Sequence, residues 1–576
     1  MRYLALACDY DETLATRGRV DEETVEALQR VLASGRKLLL VTGRQLEDLL
    51  AIFPQVNLFE RVVAENGALL YRPAAREEKV LASPPPQEFL RALRARGVWP
   101  FSTGRVIVAT HLPHEGGVLD AIRRLGLELQ VIFNKGAVMV LPSGVNKATG
   151  LVQALQELGL SPHNVVGIGD AENDHAFLRL CEAAAAVANA LPAVKEEADY
   201  VTRGECSAGV VELMRQLVKD DLGAWEPKLT RHHILLGSRA GGREEFIPPY
   251  GVNVLLAGSS GGGKSTLAVG LLERLAEHGY QFCVVDPEGD YENLEGAVVL
   301  GNAERAPGAD EVLQVLEAPD GSAVINLVGL SLEDRPGFFH ALFPRLQELR
   351  ARTGRPHWIL VDEAHHLLGV NWEPTELALP QALTGMMFIT VHPNFVAPAV
   401  LSAVDVCVAV GQAPAQTLRA FTEALGQRLP PTPTVTVQPG EVLVWRRHAD
   451  AAPFPVRPAP SHTQRRRHRR KYAEGELEPG RSFYFRGPEG KLNLRAQNLV
   501  LFQQLADGVD DATWLHHLRR GDYSRWFREA IKDEALATEA GAVEAATDLS
   551  PGESRARIKA AIAHRYTLPS TASAPS

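Results

Sequence analysis

Two acidic side chains near the start of the chain have the spacing of a nucleophile and a proton donor. Asp9 and Asp11 follow the apolar run LALAC, so both carboxylates lie where a predicted strand ends. That edge of a parallel sheet is where crevices form. One carboxylate can attack phosphorus, while the other protonates the departing oxygen and later activates water. The pair therefore predicts hydrolysis of a phosphate ester through a covalent intermediate.

Further polar groups follow other predicted strands. After KLLLV come Thr42 and Gly43, where a hydroxyl and free backbone N–H groups can hold phosphoryl oxygens, and glycine leaves room for them. Lys147 can balance the charge of the transferring group. Asp170 and Asp174, after VVGIG, suit a hard cation such as Mg²⁺. Any one of these is more simply an ordinary turn, but together and in this order they predict one phosphate-handling site.

This set resembles the four motifs of haloacid dehalogenase (HAD) phosphatases over about the first 215 residues. Residues 64–68 (AENGA) look like the capped, Cof and sucrose-phosphatase-like IIB subgroup, with a cap between the second and third motifs. The cap, at about 60 residues, looks shorter than many of its class, which leaves the substrate open. The resemblance implies Asp9 as nucleophile, Asp11 as general acid and base, Thr42 and Lys147 as phosphoryl ligands with Gly43 beside them, Mg²⁺ held by Asp9, Asp11, Asp170 and Asp174, and Asn173 bracing that loop.

A second constellation lies near the middle of the chain. Residues 258–266 (GSSGGGKST) join the run NVLLA to an amphipathic helix. A glycine-rich segment between a strand and a helix in this way is typical of a phosphate-binding loop. Backbone N–H groups and the helix N-terminus cradle phosphates, Lys264 reaches the terminal ones, and Ser265 binds Mg²⁺. The predicted ATP-binding residues are Gly258, Gly261, Gly263, Lys264, Ser265, Thr266, Asp362 and His392.

Adjacent carboxylates follow the run HWILV about 100 residues later. Asp362 would support the magnesium shell, and Glu363 would orient the attacking water. With residues 286–291 (DPEGDY) and His392, these features resemble the HerA and VirB4 branch of the FtsK-like motor ATPases. That branch usually has glutamine where His392 stands. The resemblance implies a homo-oligomeric ring in which an arginine, with Arg419 and Arg428 as candidates, completes a neighbour's site.

The alternation of apolar runs with amphipathic segments predicts an α/β protein. We expect a HAD-like Rossmannoid domain with an inserted α+β cap, then a RecA/FtsK-like P-loop NTPase domain and a small, mostly helical C-terminal module. The predicted boundaries are 1–218 for the phosphatase with its cap at about 82–140, 219–233 for a linker, 234–450 for the ATPase, 451–474 for a basic, proline-rich linker, 475–540 for the module and 541–576 for a disordered tail.

Bulk composition narrows the class of protein. At 576 residues the chain exceeds what one hydrophobic core organises. A net charge of -10 argues against coating nucleic acid along the whole surface, although the basic run 465–471 is a candidate contact for a phosphate backbone. Five scattered cysteines lack zinc-ligand spacing, and no apolar stretch approaches the length of a membrane span. We expect a cytoplasmic protein without membrane contact.

These observations leave several interpretations open. The first is a phosphatase for a small metabolite such as a sugar phosphate, coupled to an ATPase. The second is nucleic-acid end processing, in which the motor moves a strand while the phosphatase removes terminal phosphates. A kinase is disfavoured because the pair at Asp362 and Glu363 suits water activation. A nucleotide-gated scaffold with an inert phosphatase is disfavoured because the acidic set is intact.

Overall fold

The computed structural model describes residues 1–134, 136–259, 262–370, 372, 384–428, 437–449, 452–462, 482–531, 533–546 and 548–566. The chain forms two compact units, residues 1–459 and 460–576. Each is described by itself. Gly261 and the basic run 465–471, for which the sequence predicts phosphate contacts, lie outside the described residues.

The first part of the chain builds two sheets. The described strands are β1 (Ala5–Cys8), β2 (Lys37–Val41), β3 (Arg61–Ala64), β4 (Leu69–Arg72), β5 (Glu77–Val80), β6 (Ser102–Thr103), β7 (Val108–His111), β8 (Leu129–Asn134), β9 (Ala137–Pro142), β10 (Val165–Gly169), β11 (Ala183–Ala186) and β12 (Tyr200–Val201). In the described part the larger sheet has the order β12-β11-β10-β1-β2-β3-β4-β5, and β4 alone runs opposite to the other strands, since it pairs antiparallel with both β3 and β5. Its central strands are apolar throughout because helices cover both faces.

The cap is a separate antiparallel sheet between β5 and the later strands of the core. Its order is β6-β7-β9-β8. Two helices pack on it through an apolar cluster that includes Phe89, Leu93, Val118 and Val140. The predicted insertion at about 82–140 thus corresponds to a small α+β layer with a core of its own.

The helices of this part are positioned by their caps. Asn146 shows this best, because its Oδ1 accepts the N–H groups of Ala148 and Thr149 and so starts a helix with Lys147 as its first residue. The described helices are α1 (Glu22–Ala33), α2 (Leu46–Ile52), α3 (Gln87–Ala95), α4 (Glu115–Leu125), α5 (Lys147–Leu158), α6 (His175–Leu180), α7 (Pro192–Glu197) and α8 (Cys206–Asp220).

A second large sheet follows. Its described strands are β13 (Ile234–Ser238), β14 (Glu244–Ile247), β15 (Val254–Gly258), β16 (Phe282–Asp286), β17 (Ala297–Leu300), β18 (Ser322–Asn326), β19 (Trp358–Val361), β20 (Met386–Thr390), β21 (Val406–Val410), β22 (Val442–Arg446) and β23 (Phe454–Pro458). Among described residues their order is β14-β13-β23-β22-β21-β15-β20-β19-β16-β18-β17, with the seven strands from β21 to β17 parallel. Strand β20 therefore lies between the phosphate-loop strand β15 and the acidic strand β19.

Helices cover both faces of this sheet. Alternate residues of β15 enter two apolar clusters, Leu255 and Ala257 on one face and Val254 and Leu256 on the other. The described helices are α9 (Lys264–Glu277), α10 (Ala309–Glu317), α11 (Asp334–Thr353), α12 (Ala364–Leu367), α13 (Pro398–Ser402) and α14 (Pro414–Ala424). The sheets and helices confirm the predicted α/β class.

The two sheets of residues 1–459 are joined at the amino ends of their strands. Glu182, just before β11, accepts a hydrogen bond from the Tyr280 hydroxyl at 2.7 Å. The His163 ring stacks on Tyr280 with centroids 3.7 Å apart, and its Nε2 lies 2.7 Å from the His278 carbonyl oxygen. Arg355 donates to the Gly159 carbonyl at 2.8 Å. The segment between the two sheets contributes a buried Trp225 stacked on Tyr200, so the predicted linker is packed against the core.

The C-terminal unit is a small helical body with a hairpin. Its described elements are the strands Phe483–Phe485 and Leu494–Ala496 and the helices Leu499–Gly508, Asp511–Leu518, Asp522–Trp526, Glu534–Ala545 and Pro551–Tyr566. The last helix corrects the prediction of a disordered tail from residue 541. It forms because Ile558 and Ile562 are fully buried in the cluster around Trp514. The sequence did not indicate that these two isoleucines are buried, because the tail has few aromatic residues.

Two remaining predictions concern thiols and membranes. All five cysteines are buried and free of disulfides. Within the described ranges, no helix has both the length and the apolarity needed to cross a bilayer.

Candidate active sites

The phosphatase residues meet at the carboxyl edge of the first sheet. Asp9 follows β1, Asp170 follows β10, and Lys147 opens α5. The Lys147 ammonium lies 2.5 Å from Asp9 Oδ1 and 2.5 Å from Asp174 Oδ1. These three side chains and that of Asp170 are buried. Carboxylate oxygens of Asp9, Asp170 and Asp174 lie within 4.8 Å of one another. The structure thus brings together four groups that are widely separated in sequence.

Burial makes this site electrostatically demanding. Burial and the neighbouring Asp174 raise the pKa of Asp9 well above the ordinary aspartate value, although Lys147 opposes the shift. Burial lowers the pKa of Lys147, but Asp174 and Asp9 outweigh it, so the net pKa is raised and the amine stays charged. One ammonium faces three carboxylates, which leaves an excess of negative charge suited to a cation.

The loop after β10 is held by its own acidic residue. Asp174 Oδ2 accepts the backbone N–H groups of Asp170 at 2.9 Å and Ala171 at 3.0 Å. Thr13 Oγ1 donates to Asp170 Oδ1 at 3.2 Å. Position 169 requires glycine, because the Cβ of any other residue would lie 2.7 Å from Asp174 Oδ2. Asp174 therefore has a second task, which is to fix the loop that carries Asp170.

Asn173 and the residues after β2 form the other side of the site. Asn173 Nδ2 donates to Asn66 Oδ1 at 2.9 Å, which ties the loop to the cap side. Thr42 is fully buried, and its Oγ1 accepts the backbone N–H of Arg44 at 3.1 Å. A Cβ on Gly43 would meet Asn173 and the cap residue Met139 at about van der Waals contact. Gly43 therefore lies beneath the cap, next to the buried Thr42.

Asp11 stands apart from the buried cluster. The Arg44 guanidinium holds its carboxylate, with Nη2 2.6 Å from Oδ1 and Nε 2.8 Å from Oδ2. Its side chain does not belong to the group of carboxylates that converge among the described residues. This pairing could not be predicted from the sequence, because the two residues come from different motifs.

Glu65 is a functional candidate that the sequence analysis did not single out. Its buried carboxylate accepts three backbone N–H groups of the cap, from Arg105 at 2.7 Å, Val106 at 2.8 Å and Ile107 at 2.9 Å. A Cβ on Gly104 would lie 2.3 Å from Glu65 Oε1, so only glycine permits this approach. The AENGA segment could have indicated a buried role for Glu65, because it places a charged residue inside an apolar stretch.

The described residues of the predicted phosphate loop connect β15 to α9. Gly258 passes close to β21, where a Cβ would lie 2.2 Å from the Val410 oxygen, and Gly263 has a φ of 98° immediately before α9. The Lys264 ammonium donates to the carbonyls of Gly258 at 3.0 Å and Ser259 at 3.2 Å. Lys264, Ser265 and Thr266 occupy the first turn of α9.

Acidic groups surround this turn. Ser265 Oγ donates to Asp290 Oδ2 at 3.2 Å, a contact that sequence reasoning did not assign. Burial raises the pKa of Asp362 to about 7, and burial also raises the pKa of Glu363. Burial lowers the pKa of Lys264, opposed by Glu363 and Asp362. Burial thus disfavours the charged form of each of these three side chains. A cation or phosphate bound beside them would change this balance.

His392, one of the predicted ATP-binding residues, lies two residues after β20. Its backbone N–H donates to Thr390 Oγ1 at 3.1 Å, and its ring lies edge-on to His365 with centroids 5.9 Å apart. Burial lowers the pKa of His365 to about 4, so this ring is neutral at physiological pH. His365 was not a predicted site residue, although it directly follows the acidic pair and Ala364.

Comparison with known proteins matches the phosphatase part and the phosphate-loop part of the chain to two different families. Residues 6–93 and 125–214 match the haloacid dehalogenase-like hydrolase family, and residues 253–347 match the central domain of helicase HerA. Phosphoglycolate phosphatase 2 of Saccharolobus solfataricus is 30% identical over 227 residues, covering 38% of this chain and 94% of that protein. A phosphoglycolate phosphatase of Methanothermobacter thermautotrophicus is 32% identical over 223 residues, covering 37% of this chain and 98% of that protein.

A solved haloacid dehalogenase-like hydrolase from Bacteroides thetaiotaomicron covers 37% of this chain and 99% of its own, at 19% identity and a TM-score of 0.33. The sequence matches confirm both resemblances drawn from the motifs. Through residues 6–214 the chain belongs to the haloacid dehalogenase-like hydrolases as a phosphatase, and its residues 253–347 are similar to the central domain of helicase HerA.

Proposed function

We propose that the phosphatase part hydrolyses a small phosphomonoester through an aspartyl-phosphate on Asp9, with Mg²⁺ as cofactor. The observation that carries this is the buried convergence of Asp9, Lys147, Asp170 and Asp174. Three carboxylate oxygens match the oxygen ligands that Mg²⁺ prefers. When bound, the ion would neutralise negative charge on the phosphoryl oxygens and favour the ionised form of Asp9.

The first half-reaction transfers phosphorus to the protein. A carboxylate oxygen of Asp9 attacks phosphorus while the bond between phosphorus and the ester oxygen breaks. Lys147 and Thr42 hold the phosphoryl oxygens, and Asp11 gives its proton to the departing oxygen. Asp11 must enter this step protonated, so its ion pair with Arg44 has to open when substrate binds.

The second half-reaction regenerates the carboxylate. Asp11, now ionised, takes a proton from a water molecule that attacks phosphorus. The bond between phosphorus and the Asp9 oxygen breaks, and inorganic phosphate leaves. Lys147 remains charged throughout, because Asp174 and the phosphoryl oxygens hold its proton while Asp9 carries phosphorus.

For the substrate we propose a small phosphorylated acid such as 2-phosphoglycolate, with sugar phosphates as the competing class. The cap tethered by Glu65 covers the site and favours a small leaving group. Two relatives matched over nearly their whole length are named for phosphoglycolate.

The test is a substrate panel with the full chain and Mg²⁺. It compares 2-phosphoglycolate, several sugar phosphates, p-nitrophenyl phosphate and a 5′-phosphorylated oligonucleotide by release of phosphate. We expect the highest kcat/KM for 2-phosphoglycolate, and loss of all turnover in Asp9→Asn but not in the exposed control Asp548→Asn. A preference for the oligonucleotide would instead support nucleic-acid end processing, and an active Asp9→Asn would refute the covalent route.

We propose that the second domain hydrolyses ATP independently of the phosphatase chemistry. Support comes from Lys264 and Ser265 at the start of α9, with the acidic pair two strands away in the same sheet. Lys264→Ala should abolish ATP turnover and retain phosphatase activity, and Asp9→Asn should do the reverse. The exposed Lys228→Ala serves as the matched control. Loss of both activities in either variant, with the fold preserved, would show that the two sites are not separate.

A further inference from the structure

Residues 286–291 (DPEGDY) form a turn that is built around the carboxylate at the end of β16. The Asp286 carboxylate accepts four backbone N–H groups, at distances between 2.8 and 3.2 Å, from Glu288, Gly289, Asp290 and Tyr291. Because Asp286 is fully buried, water does not compete for these hydrogen bonds. The four bonds fix the shape of the turn and with it the direction of the Asp290 side chain.

Asp290 reaches from this turn to the first turn of α9. Ser265 Oγ donates to Asp290 Oδ2 at 3.2 Å. Ser265 is the second residue of α9 and directly follows Lys264. Both partners of this hydrogen bond are half-buried. The contact therefore joins the end of β16 to the helix that follows the predicted phosphate loop.

The groups around the first turn of α9 carry an excess of negative charge. Burial is the main cause of the raised pKa values of Asp362 and Glu363, and the charge of Asp290 adds to both. Burial lowers the pKa of Lys264, and Glu363 and Asp362 oppose that shift. These three carboxylates and the Ser265 hydroxyl are oxygen groups of the kind that Mg²⁺ binds, and one ammonium does not balance their charge.

A hydroxyl that binds a cation needs an acceptor for its proton. Ser265 Oγ has one proton and two lone pairs, and a metal ion binds through a lone pair. The proton of Ser265 is directed to the Asp290 carboxylate, so the lone pairs face away from Asp290. A group that holds a metal ligand in this way fixes the orientation of the ligand and strengthens metal binding.

We propose that Asp290 is a positioning residue for the metal of the ATPase site, whose carboxylate holds the Ser265 proton and so turns a lone pair of that hydroxyl toward Mg²⁺ bound with ATP. This rests on the proposed ATPase function. Asp290 acts through Ser265 and touches no reacting atom. The turn 286–291 thereby becomes part of the nucleotide site.

The experiment measures how much Mg²⁺ tightens the binding of a fluorescent, non-hydrolysable ATP analogue to the full chain. Affinities in EDTA and in excess Mg²⁺ are compared for the wild type, Asp290→Ala, Asp290→Asn and the control Asp310→Asn, whose side chain is 91% exposed. We expect Asp290→Ala to reduce the Mg²⁺-dependent gain in affinity by about tenfold to a hundredfold, as loss of such an outer partner does. Asp290→Asn keeps an acceptor oxygen and should recover most of the gain, and the control should match the wild type.

A double-variant cycle distinguishes positioning from direct coordination. Ser265→Ala removes the hydroxyl through which Asp290 acts, so adding Asp290→Ala to it should cost little further Mg²⁺-dependent affinity. Fully additive losses would overturn the proposal. So would an Asn variant as weak as the Ala variant, or an Ala variant with the full gain of the wild type.

Phosphatase activity of the same variants reports whether residues 1–459 remain folded. If Asp290→Ala does not fold, Asp290→Ser takes its place, because the shorter side chain withdraws the acceptor from Ser265 and the same loss is expected. A wild type without Mg²⁺-dependent nucleotide binding would refute the proposed ATPase function and the role of Asp290 with it. A failure confined to the Asp290 variants would refute that role alone.

Discussion

Glu65 shows how a single buried side chain can set the shape of an active site. Its carboxylate accepts three backbone N–H groups from the cap, and hydrogen bonds to a charged acceptor contribute about 1.5–3 kcal/mol each. The neighbouring surface pair of Glu78 and Arg105 also links core and cap, but it is exposed to solvent. The two glutamates therefore form a matched pair for testing what holds the cap.

Replacing Glu65 by Gln should weaken the closed cap while leaving the buried catalytic cluster in place. An amide cannot accept three N–H groups as a carboxylate does, so we expect kcat/KM for a small phosphomonoester to fall by about tenfold, mainly through KM. Steady-state kinetics measure the change, with Glu78→Gln as a control that stays near the wild type. An unaffected KM in Glu65→Gln would show that the cap closes without this tether.

The residues of the two sites differ in how far sequence could locate them. Asp9, Asp170 and Lys147 each stand at the end of an apolar strand or the start of a helix, and parallel strands bring such ends together. Glu65 and Asp11 contact partners that only the folded chain supplies, namely cap residues about 40 positions away and the Arg44 guanidinium. Sequence patterns show which groups follow strands, but not which of them hold each other.

At the scale of elements, the helix Pro551–Tyr566 shows why composition misled the prediction for the tail. The segment is rich in alanine and charge, and among its described side chains the apolar anchors are two isoleucines. Ile558 and Ile562 are fully buried, and Ser554 Oγ accepts the Trp514 indole N–H at 3.0 Å. Two aliphatic anchors and one hydrogen bond suffice because the aromatic cluster they cover is already formed by the preceding helices.

Ile558→Ala in the full chain should destabilise the C-terminal unit by about 2–4 kcal/mol, because it leaves a cavity beside the cluster. Tryptophan fluorescence during chemical unfolding measures the loss, since Trp514 and Trp526 belong to that cluster. The neighbouring Arg557→Ala is the control, as its side chain is exposed. Equal unfolding midpoints for the two variants would mean that the helix does not cover the core.

At the scale of the whole molecule, Glu182 is the centre of the junction between the two enzymes of residues 1–459. It is buried and contacts Arg2 at 2.5 Å, His163 at 2.7 Å and Tyr280 at 2.7 Å. Burial would raise its pKa, but His163 and Arg2 outweigh this and hold the pKa below the ordinary value of 4.5. The charged form is therefore the one that stabilises the junction.

Glu182→Gln should lower the stability of this unit by about 3 kcal/mol at neutral pH, because it leaves the buried Arg2 guanidinium without its carboxylate partner. A carboxylate with a depressed folded pKa stabilises the fold above its unfolded pKa and loses that contribution as pH falls. The gap between wild type and variant should therefore shrink below about pH 4.5. Chemical unfolding at several pH values measures it, and the exposed Glu196→Gln should show no such gap. A gap independent of pH would contradict the assignment.

The use of strand amino ends for this junction has a kinetic consequence. Asp9 and Asp362 stand at the strand ends opposite the junction, so we expect phosphate released at one site to reach the other only through bulk solvent. Phosphoester cleavage and nucleotide turnover should then share no intermediate. Any linkage between their rates must travel mechanically along β10, β16 and β19, which run from the junction to an acidic residue over about 17 Å or less.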